Sequence, residues 1–171
     1  MTRLNALAIA CLALAVPAVP TTDFAQDAVV AAPDVEALFA DRNRNLHRNK
    51  QVVYHIMKDL LEAGHWDEAH RYLTERYIQH NPNVGSGRQT VVDFFKGIGV
   101  KPRPIPARLS TPVVQVLAQG DYVMVASVAT LPHPADSTKT YTTTWFDMFR
   151  MKDGKADQHW DSATIMAIPA K

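Results

Sequence analysis

The sequence predicts an α+β domain: helices first, then a run of antiparallel strands. Two observations carry this. From Asn49 to Ile98 apolar residues recur at spacings of three and four, the period of a helix face. After Ser110 the spacing changes to short β-prone runs separated by turn residues. Helices followed by strands, rather than alternating with them, pack on one face of a sheet.

The first segment is expected to be removed before folding. Met1-Thr2-Arg3 supplies one cation, and Leu4 to Val19 contains no charge. That reads as a secretory signal peptide, too short for a comfortable membrane span. Cleavage fits after Ala18, giving a signal over 1–18, with a later site near Ala25. Two other fates stay open: an uncleaved anchor, and lipidation at Cys11, whose flanks match a lipoprotein signal only loosely. Cys11 is the only cysteine, so the mature chain holds neither a disulfide nor a thiol nucleophile. An exported protein without disulfides, periplasmic or secreted, must rely on its core.

The Ala-rich stretch 19–44 reads as a partly disordered leader. Pro33-Asp34 opens a short helix through Phe39, and Asn43-Arg44-Asn45 interrupts it. From about Asn49, Val52, Val53, Ile56, Met57, Leu60 and Leu61 form one apolar helix face that stops at Gly64. Trp66 to Tyr72 or Leu73 is a second short helix. Tyr77-Ile78-Gln79 is β-prone, and Asn81-Pro82-Asn83 with Gly85-Ser86-Gly87 forms a turn-rich loop. A third helix carries Val91, Val92, Phe94, Phe95 and Ile98 and ends at Gly97 or Gly99. The alternate prolines of Lys101 to Pro106 enforce extended chain. Strands are expected at Val113–Leu117, Tyr122–Thr130, Thr140–Met151 and Lys155–Ile168. Pro132-His133-Pro134 would be a longer loop.

Composition narrows the function. The 171 residues suit one domain with a sizeable core, at 47% hydrophobic and 20% charged. A net charge of +1, with no basic stripe interleaved with aromatics, argues against nucleic acid as a partner.

The last hairpin brings chemistry together. Met151-Lys152-Asp153-Gly154-Lys155 fits a three-residue loop with Gly154 at the left-handed position. Met151 then faces Lys155, Asp147 faces His159, and Trp145 faces Asp161. Those four residues share one face of the sheet, with Phe146, Met148 and Trp160 on the other. A two-residue Asp153-Gly154 loop slips the register by one and splits the groups, though His159 and Asp161 stay together. The three-residue loop is favoured because a turn ending in Gly before Lys suits the bulge. Two carboxylates and an imidazole among aromatic side chains are costly unless paired or used. Such a group can share and transfer protons; it can also be a plain structural hydrogen-bond cluster.

Tyr77-Ile78-Gln79-His80-Asn81-Pro82, Gly87, Phe146-Asp147-Met148-Phe149-Arg150, Asp153-Gly154-Lys155 and His159-Trp160-Asp161 resemble the SnoaL-like branch of the nuclear transport factor 2-like superfamily. The resemblance covers the chain from Asn45 to Ile168, with departures at Ala156, Gln158 and the Pro102–Pro106 insertion. It implies a cone-shaped fold, with N-terminal helices packed on a strongly curved antiparallel sheet around a deep apolar pocket. It also implies polyketide cyclase-like chemistry without metal or organic cofactor: aldol condensation, cyclisation or isomerisation of a small apolar carbonyl compound. By position, His80, Asp147, His159 and Asp161 match the motif at the pocket, with Asp161 the foremost acid/base group. Trp145, Tyr54 and Phe94 would supply apolar walls, and Asn81 a polar contact to the substrate. Two other readings compete. One is a non-catalytic small-molecule binder; the other is a metal enzyme using His80, His159 and Asp161. An outward patch of Phe146, Met148 and Trp160 would pair two copies into a homodimer.

Overall fold

The computed structural model describes residues 27–165. The signal segment, its cleavage sites, Cys11 and the end of the domain at Ile168 lie outside the described residues. No described helix is long and apolar enough to cross a membrane.

The folded chain begins earlier than Asn45. Helix α1 (Val35–Leu38) is capped by the Asp34 carboxylate, and Phe39 behind it is 0% exposed, within the core cluster. Asn43-Arg44-Asn45 does not break a helix but starts one. The Asn43 side chain accepts hydrogen bonds from the backbone N–H groups of Asn45 and Leu46, an N-cap that sets the start of α2 (Arg44–His55). Asparagine acts as a breaker or as a cap according to the residues after it. Here they carry the apolar face of Val53, Ile56, Met57 and Leu60, and the helix forms.

That face is one continuous helix in two geometries. From Ile56 to Glu62 the hydrogen bonding widens to a π-helix. Gly64 ends it, as expected, at φ +76°. A side chain there would also collide with the Lys101 carbonyl, 2.7 Å from where a Cβ would sit. Trp66–Arg71 is a 3-10 helix, and α3 spans Arg88–Gly97.

Five strands form one sheet: β1 (Leu73–Gln79), β2 (Val113–Gln119), β3 (Tyr122–His133), β4 (Asp136–Lys152) and β5 (Lys155–Asp161). Their order is β1-β5-β4-β3-β2. The sheet is mixed rather than wholly antiparallel, because β1 pairs with β5 in parallel. Tight turns force antiparallel pairing from β2 to β5, but no turn joins β1 to β5. β3 and β4 continue as a two-stranded arm to His133, in place of the long loop expected at Pro132. Beyond Ser127 strand β3 has no β2 partner, so the missing N–H of Pro132 costs no ladder bond on that side. β5 stops at Asp161, short of Ile168.

The hairpin register combines both expectations. Asp153 (φ 51°) and Gly154 (φ 76°) are both left-handed, making a two-residue turn with Lys152 opposite Lys155. Taken alone, that turn would split the polar group. Next, however, a β-bulge leaves Asp157 without a partner in β4: Met151 pairs with Ala156, and Arg150 with Gln158. The bulge restores the side-chain parity. Phe149 faces His159 and Asp147 faces Asp161, so Trp145, Asp147, His159 and Asp161 do share the inner face, with shifted partners.

Candidate functional site

Between the inner face of the sheet and the helices lies a cavity of about 590 Å³. Its apolar wall comes from Ile56 and Leu61 of the π-helix, Trp66, and Val91, Phe94 and Phe95 of α3. Trp66 stacks on Phe95 with ring centroids 3.8 Å apart. The opposite wall is the polar end of the sheet: Tyr77 and Gln79 from β1, Trp145 and Asp147 from β4, His159 and Asp161 from β5. Asn81, Asn83 and the Ser162–Thr164 segment close one side.

His159 sits at the centre. Its Nε2 is 3.0 Å from Asp147 Oδ1 and its Nδ1 2.7 Å from Gln79 Oε1. Gln79 Oε1 also accepts the Asn81 backbone N–H, which fixes the amide with its oxygen toward the ring. His159 therefore has an oxygen at each nitrogen. With hydrogen on both, it donates to Asp147 and Gln79 together; with hydrogen on one, a lone pair faces an oxygen. Its ring also lies against Phe149, centroids 4.7 Å apart.

The two carboxylates differ. Asp161 has both oxygens engaged: Oδ2 accepts from Asn81 Nδ2 at 2.7 Å and Oδ1 from the Ala163 N–H at 3.0 Å. Asn83 extends this latch, donating to Asn81 Oδ1 and to the Thr164 carbonyl. Asp147 uses only Oδ1, which accepts from His159 and, at 3.3 Å, from Trp145 Nε1. No described residue donates to Asp147 Oδ2. Tyr77 is 4% exposed, and its phenol is pushed well above its ordinary value by burial, then by the charges of Asp147 and Asp161. It stays a protonated donor.

Of the residues singled out from sequence, Asp147, His159, Asp161, Trp145, Phe94 and Asn81 line the cavity. His80 and Tyr54 do not. β1 alternates, so Gln79 points inward and His80 outward, where its ring stacks on Trp160 at 4.4 Å and bonds Gln158. Tyr54 is turned into the core, edge-on to Phe39 and hydrogen-bonded to Glu36. Sequence reasoning misses Tyr77 and Gln79 as cavity residues. They sit two apart on β1, beside Asn81. That period would have placed them with the polar group had the pairing of β1 with β5 been known.

The fold does not assemble a His80, His159 and Asp161 metal set. Asp147, His159 and Asp161 do offer ligand atoms within 4.8 Å of one another, a donor set able to hold a divalent cation. Asp147 and His159 already share a hydrogen bond, and Asp161 Oδ2 lies 3.9 Å from His159 Nδ1.

The sequence profile of the SnoaL-like domain matches residues 53–159, more than half of the chain and every strand residue of the cavity except Asp161. This chain belongs to the SnoaL-like family. Its fold is accordingly that of the nuclear transport factor 2-like superfamily, helices packed on a curved sheet. Among curated proteins none matches the sequence. Solved structures similar to the SnoaL-like chain include a candidate SnoaL-like polyketide cyclase from Jannaschia sp. CCS1, at 18% identity and a TM-score of 0.48, covering 72% of this chain and 91% of that one. Another is an LEH-like epoxide hydrolase from M. tuberculosis, at 12% identity and a TM-score of 0.48, covering 67% and 80%. A third is an NTF2-like protein of unknown function from Burkholderia pseudomallei K96243, at 12% and 0.48, covering 67% and 88%.

Proposed function

We propose that this SnoaL-like protein is an exported, cofactor-independent acid/base enzyme that moves a proton beside the carbonyl of a small apolar compound. One observation carries the reading. Asp147, held by His159 and Trp145 through one oxygen, offers its other oxygen to an apolar cavity. Asp147 rather than Asp161 takes the proton, because Asp161 has no free oxygen. The C–H bond next to the carbonyl breaks, its proton passes to Asp147 Oδ2, and its electron pair moves to the carbonyl oxygen as an enolate. Where a double bond adjoins, the proton then returns to its far carbon, an isomerisation; otherwise the enolate carbon attacks a second carbonyl, whose oxygen takes the proton back from Asp147, an aldol cyclisation. A positioned acid/base contributes about 10²- to 10⁴-fold in such steps. His159 lies within reach to share the proton, and Gln79 orients it.

Solvent deuterium exchange at the α-carbon of apolar ketones and β-dicarbonyl compounds, followed by NMR, tests the reading. Exchange catalysed by the wild type, abolished in Asp147→Asn and insensitive to chelator, is expected. Ligand binding without exchange in either protein would leave a non-catalytic binder instead. Exchange that a chelator abolishes would turn Asp147, His159 and Asp161 into metal ligands.

Two further expectations belong to this proposal. Export, to the periplasm or beyond, rests on the first nineteen residues. Pairing into a homodimer rests on the outer sheet face, where Phe146 is 46% exposed beside Met148 and Trp160, and Leu117 and Tyr122 are also exposed. Light scattering after size exclusion should give twice the chain mass, and Phe146→Asp should halve it. A monomeric wild type would end the pairing idea.

A further inference from the structure

The proton transfer assigned to Asp147 leaves a tyrosine of the cavity wall unused. Tyr77 lines the cavity and is almost wholly buried, yet none of the described residues supplies its hydroxyl with a hydrogen-bond partner. Among the described residues the buried side-chain atoms left without a partner are Asp59 Oδ1, Trp66 Nε1 and Ser127 Oγ; the Tyr77 hydroxyl is not one of them and opens to the cavity, where a ligand atom can meet it. The hydroxyl belongs to the same inner row of β1 as Gln79, and the charges of both Asp147 and Asp161 act on it. The polar end of the cavity therefore presents one free donor, the Tyr77 O–H, and one free acceptor, Asp147 Oδ2.

We propose that Tyr77 is a catalytic residue that donates its hydrogen bond to the carbonyl or enol oxygen of the ligand, while Asp147 faces the hydrogen to be moved. This rests on the proposed acid/base reading and specifies the ligand. It must be neutral at its polar end, carry an oxygen that both accepts and has an acidic hydrogen at or near it, and lay an apolar body against Phe94, Phe95 and Trp66. A carboxylate or phosphate at that end would meet Asp147 and Asp161 as like charges. As negative charge develops on the ligand oxygen, the Tyr77 hydrogen bond strengthens, so the donor favours the enolate over the ketone.

The test uses 2-naphthol, a stable enol of suitable shape, with naphthalene and 2-naphthoate as controls. Binding to wild type, Tyr77→Phe and Asp147→Asn is read by calorimetry. The expected result is that naphthol binds wild type more tightly than naphthalene does, and that Tyr77→Phe weakens naphthol by roughly tenfold, the effect of one hydrogen bond. Naphthalene should bind Tyr77→Phe and wild type alike, which also shows that the variant folds. Naphthoate should bind wild type worse than naphthol. Equal naphthol affinity in wild type and Tyr77→Phe would overturn the role of Tyr77 and leave the proton-moving role of Asp147 standing. Failure of both naphthol and naphthalene to bind would overturn the apolar pocket and this proposal together.

Discussion

Asp147 and Asp157 belong to the same hairpin, and both are withdrawn from solvent, yet they have opposite chemical characters. Asp157, in the bulge of β5, is 0% exposed and fully answered. Arg76 Nε donates to its Oδ1 at 2.8 Å, Arg76 Nη2 reaches Oδ2, and Thr74 adds a third bond. The guanidinium, more than the threonine, holds the carboxyl down at about 2 against the opposing effect of burial. Asp147, on the cavity face of β4, has no arginine or lysine partner among the described residues and keeps one oxygen free. Burial therefore does not make a carboxylate reactive. What matters is whether its neighbours use up its lone pairs: Asp157 is a strut, and Asp147 is a tool.

Exchanging each for asparagine should separate the two most sharply. Asp147→Asn should lower α-proton exchange by about 10²- to 10⁴-fold. Its folding stability should change by no more than about 1 kcal/mol, because an amide keeps the bonds on one oxygen and the other faces the cavity. Asp157→Asn should do the reverse. It leaves the half-exposed Arg76 without its anion and should cost about 2 kcal/mol of stability, the loss of a charge-assisted hydrogen bond. Catalysis per folded molecule should persist. Denaturant unfolding together with exchange rates measures both. A large stability loss in Asp147→Asn would mean that it, too, is a strut.

The pH dependence of stability sharpens the same contrast. Asp157 titrates near 3.8 when unfolded and near about 2 when folded. Between those values the unfolded chain binds more protons, so the stabilisation is present in full above about pH 4 and is lost as pH falls through 2. The stability gap between wild type and Asp157→Asn should therefore be constant from about pH 7 to 5 and shrink steadily below about pH 4. A gap that persists at pH 2 would show that Arg76 stabilises the fold through packing rather than charge.

How far the sequence foretells these roles depends on which interactions are local. The inner grouping of Trp145, Asp147, His159 and Asp161 is legible, since it comes from alternation along two adjoining strands. It survives a different turn because the bulge at Asp157 restores the parity. The bulge itself is not legible. Its Asp157 pairs with Arg76 and Thr74 on a strand some eighty residues away, and no turn announces a parallel contact. The same long-range pairing decides His80. Its neighbour Gln79 takes the inward position only because β1 lies beside β5 in the register Gln79 to His159. Asn43 reads as an interruption because a cap and a break use the same residue type. Tyr54 has a helical spacing that permits either side of the helix, and tertiary packing against Phe39 decides it. Family resemblance singles out these motifs only as a set, and the folded arrangement distinguishes the members that face inward, Asp147, His159 and Asp161, from His80, which does not.

Asp161 supplies the smallest and most discriminating effect, because it combines features of both aspartates. Like Asp147 it lies at the cavity; like Asp157 it has both oxygens occupied, though by the neutral donors Asn81 and Ala163 rather than by a cation. Asparagine at this position can keep one of those bonds but must present an amide hydrogen to the other donor. The cost should be that of one hydrogen bond, about 1 kcal/mol, with activity lowered by roughly tenfold or less as the Asn81 loop and the Ser162–Thr164 segment loosen. That loss should fall mainly on substrate affinity, since the displaced elements form a wall. Kinetics on the ketone used for Asp147→Asn decide it. If Asp161→Asn instead removed turnover as completely as Asp147→Asn while leaving affinity intact, the proton would belong to Asp161. The free oxygen of Asp147 would then be a binding contact, and the acid/base assignment between the two would have to be exchanged.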